Sequence, residues 1–168
     1  MHRPTHGLLV LAAILLVPAL LLMVRPGRAA TPDHGIVQHG DVRIEVLEQG
    51  HGPAILILPS LGRGAHDYDE RAIPLAADGF RVLRPQPRGM GQSEGPMAGL
   101  TLYDYAGDVA AVIQREVKGP AIVVGHAFGN FVARMLATGR PELVKSVVLA
   151  TASPGKVAEA IAAYARQP

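Results

Sequence analysis

The chain has 168 residues, enough for one domain, with a formal net charge of +2 and no cysteine. The missing thiols exclude disulfides, thiolate metal sites and cysteine nucleophiles together. Aromatic side chains make up only 4% of the residues and the basic ones are dispersed, which excludes the basic, aromatic-rich surface of a nucleic-acid binder.

Residues 1–30 read as a segment separate from the domain. Arg3 and two histidines precede an apolar run from Leu8 to Val24, and Arg25-Pro26-Gly27-Arg28-Ala29-Ala30 follows. A basic start, an apolar stretch and small residues at its end describe a secretory signal, with a cleavage point after Ala29 or Ala30. The run is also close to the length of a bilayer span, so an uncleaved inner-membrane anchor through residues 8–24 is the competing reading. Both imply export, with the domain of residues 31–168 periplasmic or secreted and touching a membrane only through its N-terminal segment.

Thr31 to Gly35 reads as a linker. Ile36-Val37-Gln38 and Val42 to Leu47 form a hairpin around His39-Gly40-Asp41, the second strand alternating apolar and polar residues as a half-exposed strand does. Ala54 to Leu58 is a continuous apolar run, hence a buried and parallel strand, ending in the loop Pro59-Ser60-Leu61-Gly62-Arg63-Gly64. Tyr68 to Ala77 has helical spacing, with Pro74 bending or shortening it. Phe80 to Leu83 is the next buried strand and leads into Arg88-Gly89-Met90-Gly91-Gln92-Ser93. Thr101-Leu102-Tyr103-Asp104 resembles a capping box that opens a helix to about Val117, with Leu102, Tyr105, Val109, Val112 and Ile113 inside. Asp104 and Asp108 lie one helical turn apart and read as a solvated face.

Gly119-Pro120 breaks that helix, and Ala121-Ile122-Val123-Val124 is a strand buried on both faces. Gly125-His126-Ala127-Phe128-Gly129 follows. From Asn130 the pattern turns helical, with Val132, Met135 and Leu136 on one side and Arg134 off it. Strand, glycine-bracketed turn and helix make the setting of a nucleophile elbow, G-x-S-x-G, with alanine at the centre. A methyl group cannot attack a carbonyl. Val147 to Ala150 is a further buried strand and Lys156 to Arg166 a last helix. Alternating strands and helices predict an α/β fold: a mostly parallel sheet with an antiparallel hairpin at its start and helices on both faces.

Three segments carry a resemblance to the α/β-hydrolase family from about Val37 to Ala150: the elbow, the turn from Arg88 to Ser93, which looks like R-G-x-G-x-S, and Leu58-Pro59-Ser60-Leu61-Gly62, where members have His-Gly and a small or apolar residue. The departures are Pro59-Ser60 in place of His-Gly, Gln86 where an Asp is frequent, and Ala127 at the nucleophile position. The resemblance implies an oxyanion hole made by the backbone N–H groups of Leu61 and Phe128, neither of which needs a hydroxyl at Ala127. It also implies a later acid and a later histidine. No histidine follows His126, and Glu159 is the only carboxylate beyond Ala150, so the chain reads as a family domain that stops before its last strands.

The remaining candidates are weaker. His126 is read as a packed histidine with a satisfied ring nitrogen and, with Gly62, as a neighbour of a bound ligand. Ser60 is a candidate displaced nucleophile without an evident base, against the simpler reading of a loop serine capping a nearby N–H. Ser93 is read as bonding within its own turn. His34, His39, His51 and His66 read as solvent-facing, without the spacing of a metal site, and Gly89-x-Gly91 lacks the third glycine of a dinucleotide loop. No cofactor is expected. The expected ligand is a small ester, amide or carboxylate. Relatives of such a chain would act on ester- or amide-type bonds, while this one would lack serine-type hydrolysis. The alternatives are a non-catalytic binding or interaction protein on the same scaffold and a truncated product without function.

Overall fold

A computed structural model describes residues 31–150 of the chain. The signal-or-anchor segment of residues 1–30 and the helix expected at Lys156 to Arg166 lie outside the described residues. The elements in chain order are β1 (Asp33–His39), β2 (Val42–Gln49), β3 (Ala54–Leu58), a 3-10 turn (Ala65–Tyr68), α1 (Asp69–Ala77), β4 (Arg81–Pro85), α2 (Leu102–Glu116), β5 (Ala121–His126), α3 (Phe128–Gly139), a 3-10 turn (Pro141–Leu143) and β6 (Val144–Ala150). They build one six-stranded sheet in the order β1-β2-β4-β3-β5-β6. β1 pairs antiparallel with β2, and β2 antiparallel with β4. All pairings from β4 to β6 are parallel.

The apolar runs explain the order. Leu56, Leu58 and Val123 face α2 and α3 with Val109, Val112, Ile113, Val132 and Leu136, while Ile55, Ile57, Ile122 and Val124 face α1 with Ala72, Leu75 and Phe80. Strands buried on both faces need helices on both, and the crossover connections supply them. From β3 the chain passes through α1 to β4 on one side. From β4 it returns through α2 to β5 on the other. The carboxyl ends of β3 and β5 therefore flank the switch point where α/β sheets open a crevice.

Several boundaries differ from the sequence expectation. The expected linker at Thr31 to Gly35 joins β1 from Asp33, because its backbone pairs with Leu47 and Glu48 whatever its side chains are. β2 is mostly buried rather than half-exposed, since it runs between β1 and β4 and shields Glu45 and Gln49. β4 begins after Phe80, which packs under α1, and extends to Pro85 opposite Val46. Pro74 sits inside α1 rather than ending it. The capping box at Thr101 is present: Asp104 Oδ2 accepts the Thr101 N–H at 2.8 Å. β6 starts at Val144 and is partly exposed, with Leu149 at 49%, because no strand among the described residues lies beyond it. Among the described residues no helix is long and apolar enough to cross a membrane.

Candidate functional site

The turn after β5 has the backbone of a nucleophile elbow. Ala127 sits at φ 48° and ψ −106°, and among the described residues it is the one non-glycine with positive φ. Such a conformation costs about 1–3 kcal/mol and persists only where its surroundings impose it. They do so here. A Cβ on Gly125 would stand 2.4 Å from the Gly129 carbonyl oxygen, and one on Gly129 would stand 2.4 Å from the Leu58 carbonyl oxygen. Both positions exclude every residue but glycine, and the second packs the elbow against the end of β3. Ala127 N–H donates to the Ala150 carbonyl at 3.2 Å, and Ala127 C=O accepts from Asn130 N–H at 3.0 Å. That second bond closes the first helical turn at once, so α3 begins at Phe128 rather than at Asn130. Its positive end points at the turn.

The loop after β3 forms the opposite wall. Ser60 N–H donates to the Tyr68 hydroxyl at 3.0 Å, and that hydroxyl lies 2.9 Å from His126 Nδ1. The Tyr68 hydroxyl is shared between the Ser60 N–H and the His126 ring. His126 is thus a packed histidine with a partnered ring nitrogen, which ties the elbow to the loop. The Ser60 carbonyl, not its hydroxyl, caps a neighbour, accepting from Arg63 N–H at 3.1 Å.

Between these walls, on the α2 and α3 side, lies a cavity of about 330 Å³. Its floor is Ile44, Leu58, Val109 and Val132, one side is Ser60, Leu61 and Gly62, and another is Tyr105 and Phe128, whose rings meet edge to face at 5.5 Å. Leu61, 70% exposed, and Met97, 53% exposed, stand at its mouth. The structure thus brings Ser60, Leu61, Gly62 and Phe128 around one cavity and leaves His126 and Ala127 off its lining.

The third wall is the turn from Arg88 to Ser93, and buried polar groups hold it. Ser93 Oγ donates to the Gln86 carbonyl and accepts from Glu45 N–H, both at 2.9 Å, so it bridges its turn to β2. Glu45 receives Gln92 N–H at 2.9 Å and lies 3.0 Å from His34 Nδ1. Burial pushes the Glu45 carboxyl up, but the Gln92 N–H, the His34 ring and the Gln92 amide outweigh it and hold the group below the usual carboxylate range. Gln86 Oε1 accepts Ala65 N–H at 2.6 Å, an amide tying the loop after β3 to the end of β4.

Arg88 and Asp108 form a bidentate pair at 2.7 and 2.8 Å with both residues under one-tenth exposed, and Arg88 Nη1 donates to the Pro96 carbonyl at 3.2 Å. His39 Nε2 lies 2.7 Å from the same carboxylate. The Asp108 hydrogen bonds raise the Arg88 pKa above its ordinary value despite burial. Asp108 is therefore no solvated-face residue, and His39 is half-buried against it, while His34 stays exposed as expected and reaches Glu45 from the solvent side. Asp108 had a legible signal, since it falls within the inner stripe drawn by Tyr105, Val109 and Val112. Tyr68 and Glu45 were missed too; Leu47, apolar on the same face of β2 as Glu45, marks that face as buried.

The comparisons with known proteins agree with this geometry. The family model described as alpha/beta hydrolase fold matches residues 53–165. The chain is 34% identical over 132 residues to a 2-(acetamidomethylene)succinate hydrolase of Mesorhizobium japonicum, covering 77% of this chain and 47% of that protein. It is 30% identical over 118 residues to an epoxide hydrolase of Caballeronia sordidicola, covering 68% of this chain and 35% of that protein. The crystal structure of an epoxide hydrolase from Vigna radiata superposes with a TM-score of 0.66 at 27% identity, over 75% of this chain and 40% of that one. The chain thus spans less than half the length of these relatives. With six strands in this order, a glycine-locked elbow after β5 and a family match over most of its length, the chain belongs to the alpha/beta hydrolase fold family.

Proposed function

We propose that this chain is a ligand-binding member of the family that holds a small carbonyl-bearing molecule without attacking it from position 127. The carrying observation is Ala127 itself, in the strained elbow conformation with a methyl where the chemistry needs a nucleophile. The N–H groups of Leu61 and Phe128 and the start of α3 make the oxyanion-binding hollow in this reading, and main-chain donors do not depend on the side chain at 127. Ser60 is a ligand contact rather than a nucleophile in this reading, because among the described residues no base is bonded to its hydroxyl and His126 is engaged by Tyr68. The relative named for hydrolysis of 2-(acetamidomethylene)succinate supports a small molecule over a macromolecule.

The test pairs turnover with binding on the full chain. No release of 4-nitrophenolate from 4-nitrophenyl butanoate above the protein-free rate, together with saturable calorimetric binding of hexanamide, is the expected result. Turnover that Ser60→Ala abolishes would hand the chemistry to Ser60 and overturn the reading. Residues 1–30 are proposed to direct export. Cell fractionation with N-terminal sequencing should find the protein outside the cytoplasm, starting near Thr31 if the segment is cleaved and at its original start if it anchors. A cytoplasmic product would refute both forms.

A further inference from the structure

The charged groups lining the cavity are already paired with one another. Arg88 commits Nε and Nη2 to Asp108 and Nη1 to the Pro96 carbonyl, while Asp108 takes the guanidinium on both oxygens and His39 on one. Gln86 Oε1 is engaged by Ala65 N–H. Among the described residues Arg88 is the one cationic side chain on the lining, and it is neutralised in place, while Ile44, Leu58, Val109 and Val132 on the floor and Leu61 and Met97 at the mouth are apolar. A volume of about 330 Å³ stands at the small end of the roughly 300–1,000 Å³ typical of small-molecule sites.

We infer that the cavity selects an uncharged ligand with a short apolar body, and that the Arg88–Asp108 pair sets this specificity by withholding its charge. The inference rests on the site reading above. A carboxylate entering the cavity would lose hydration with no free side-chain cation among the described lining residues to meet it, and the positive end of α3 alone does not replace that hydration. A neutral amide of the same length loses far less, and its carbonyl needs only main-chain donors. Exposed Leu61 and Met97 at the mouth suit an apolar chain, and the thioether of Met97 can adapt to its shape.

Hexanamide and hexanoate, matched in length and differing in charge, are the probes, titrated calorimetrically into the full chain at pH 7. Hexanamide should bind at least about tenfold more tightly than hexanoate, the least that stripping an unpaired carboxylate of water should cost. Val132→Trp, which fills the cavity floor, should abolish binding of both. Asp108→Asn, which leaves the Arg88 charge uncompensated, should close the gap or reverse it in favour of hexanoate. Equal affinity of the two probes in the unmodified chain, with both lost in Val132→Trp, would keep the site and overturn the specificity. Saturation by neither probe would overturn the site reading itself. Should Val132→Trp unfold, the Asp108→Asn comparison decides, and an unchanged gap there refutes the role of the pair.

Discussion

Replacing Asp108 by Asn tests the polar wall of the site through stability. The substitution keeps the shape of the side chain and removes its charge, leaving the Arg88 guanidinium, 8% exposed, opposite a neutral amide. One amide oxygen can retain one of the two Arg88 contacts at 2.7 and 2.8 Å, while the new NH2 group faces a donor on the other branch. Breaking a buried pair from one side costs about 3–5 kcal/mol, because an uncompensated charge stays inside. The surviving bond to the Pro96 carbonyl at 3.2 Å places this case at the lower end, about 3 kcal/mol. That is a large share of the roughly 5–15 kcal/mol that holds a domain folded. Urea unfolding at 25 °C and pH 7 would read it as a drop in the midpoint at unchanged slope. The double replacement Arg88→Met with Asp108→Leu removes both charges and should return to within about 1 kcal/mol of the parent. A loss below about 1 kcal/mol for Asp108→Asn would place the pair with solvated surface bridges and refute the account of that wall.

Two further substitutions address the frame. Glu45 is held below the usual carboxylate range in the folded chain, so its contribution is fully present above the unfolded-state pKa and is lost as pH falls through the depressed folded value. Glu45→Gln should therefore flatten the acid limb of a stability–pH profile, with the difference from the parent shrinking as pH falls through that range; a profile parallel to the parent at every pH would refute it. Gly129→Ala puts a methyl 2.4 Å from the Leu58 carbonyl oxygen and 2.9 Å from that of Pro59. Backbone on both sides cannot yield cheaply, so a loss of at least about 1–3 kcal/mol is expected in urea unfolding, and a neutral result would contradict the close approach of elbow and loop.

The elbow was legible in the sequence because its constraints are local. Gly125 and Gly129 are glycines for lack of room, and a strand run followed by a helix run brackets them whatever the rest of the chain does. The parallel strands were legible for a related reason: a run such as Ala54 to Leu58 has no polar side to expose. The partners within the buried polar network were not. Asp108 meets Arg88 across 20 residues and His39 across 69, and neither distance leaves a trace in local spacing. The Asp104–Asp108 spacing suggested one solvated face, yet Asp104 caps the helix from outside while Asp108 turns inward. Glu45 escaped notice because an alternating strand with a charge reads as half-wet. Its partners come from the turn at Gln92 and from β1, and folding alone assembles them. Tyr68 joins Ser60 and His126 across 8 and 58 residues, and only the switch-point topology sets the β3 loop beside the elbow.

The central claim is that position 127 stands at a strained apex capping the positive end of α3, where the family chemistry would place a nucleophile. The chain contains no cysteine, so Ala127→Cys supplies a single thiol there. Its rate of alkylation by iodoacetamide, followed against pH, should show a midpoint well below the value of about 8.5 for a free cysteine, as a thiol at a helix N-terminus does. A midpoint at or above that value, or a thiol that reacts only after unfolding, would contradict the account.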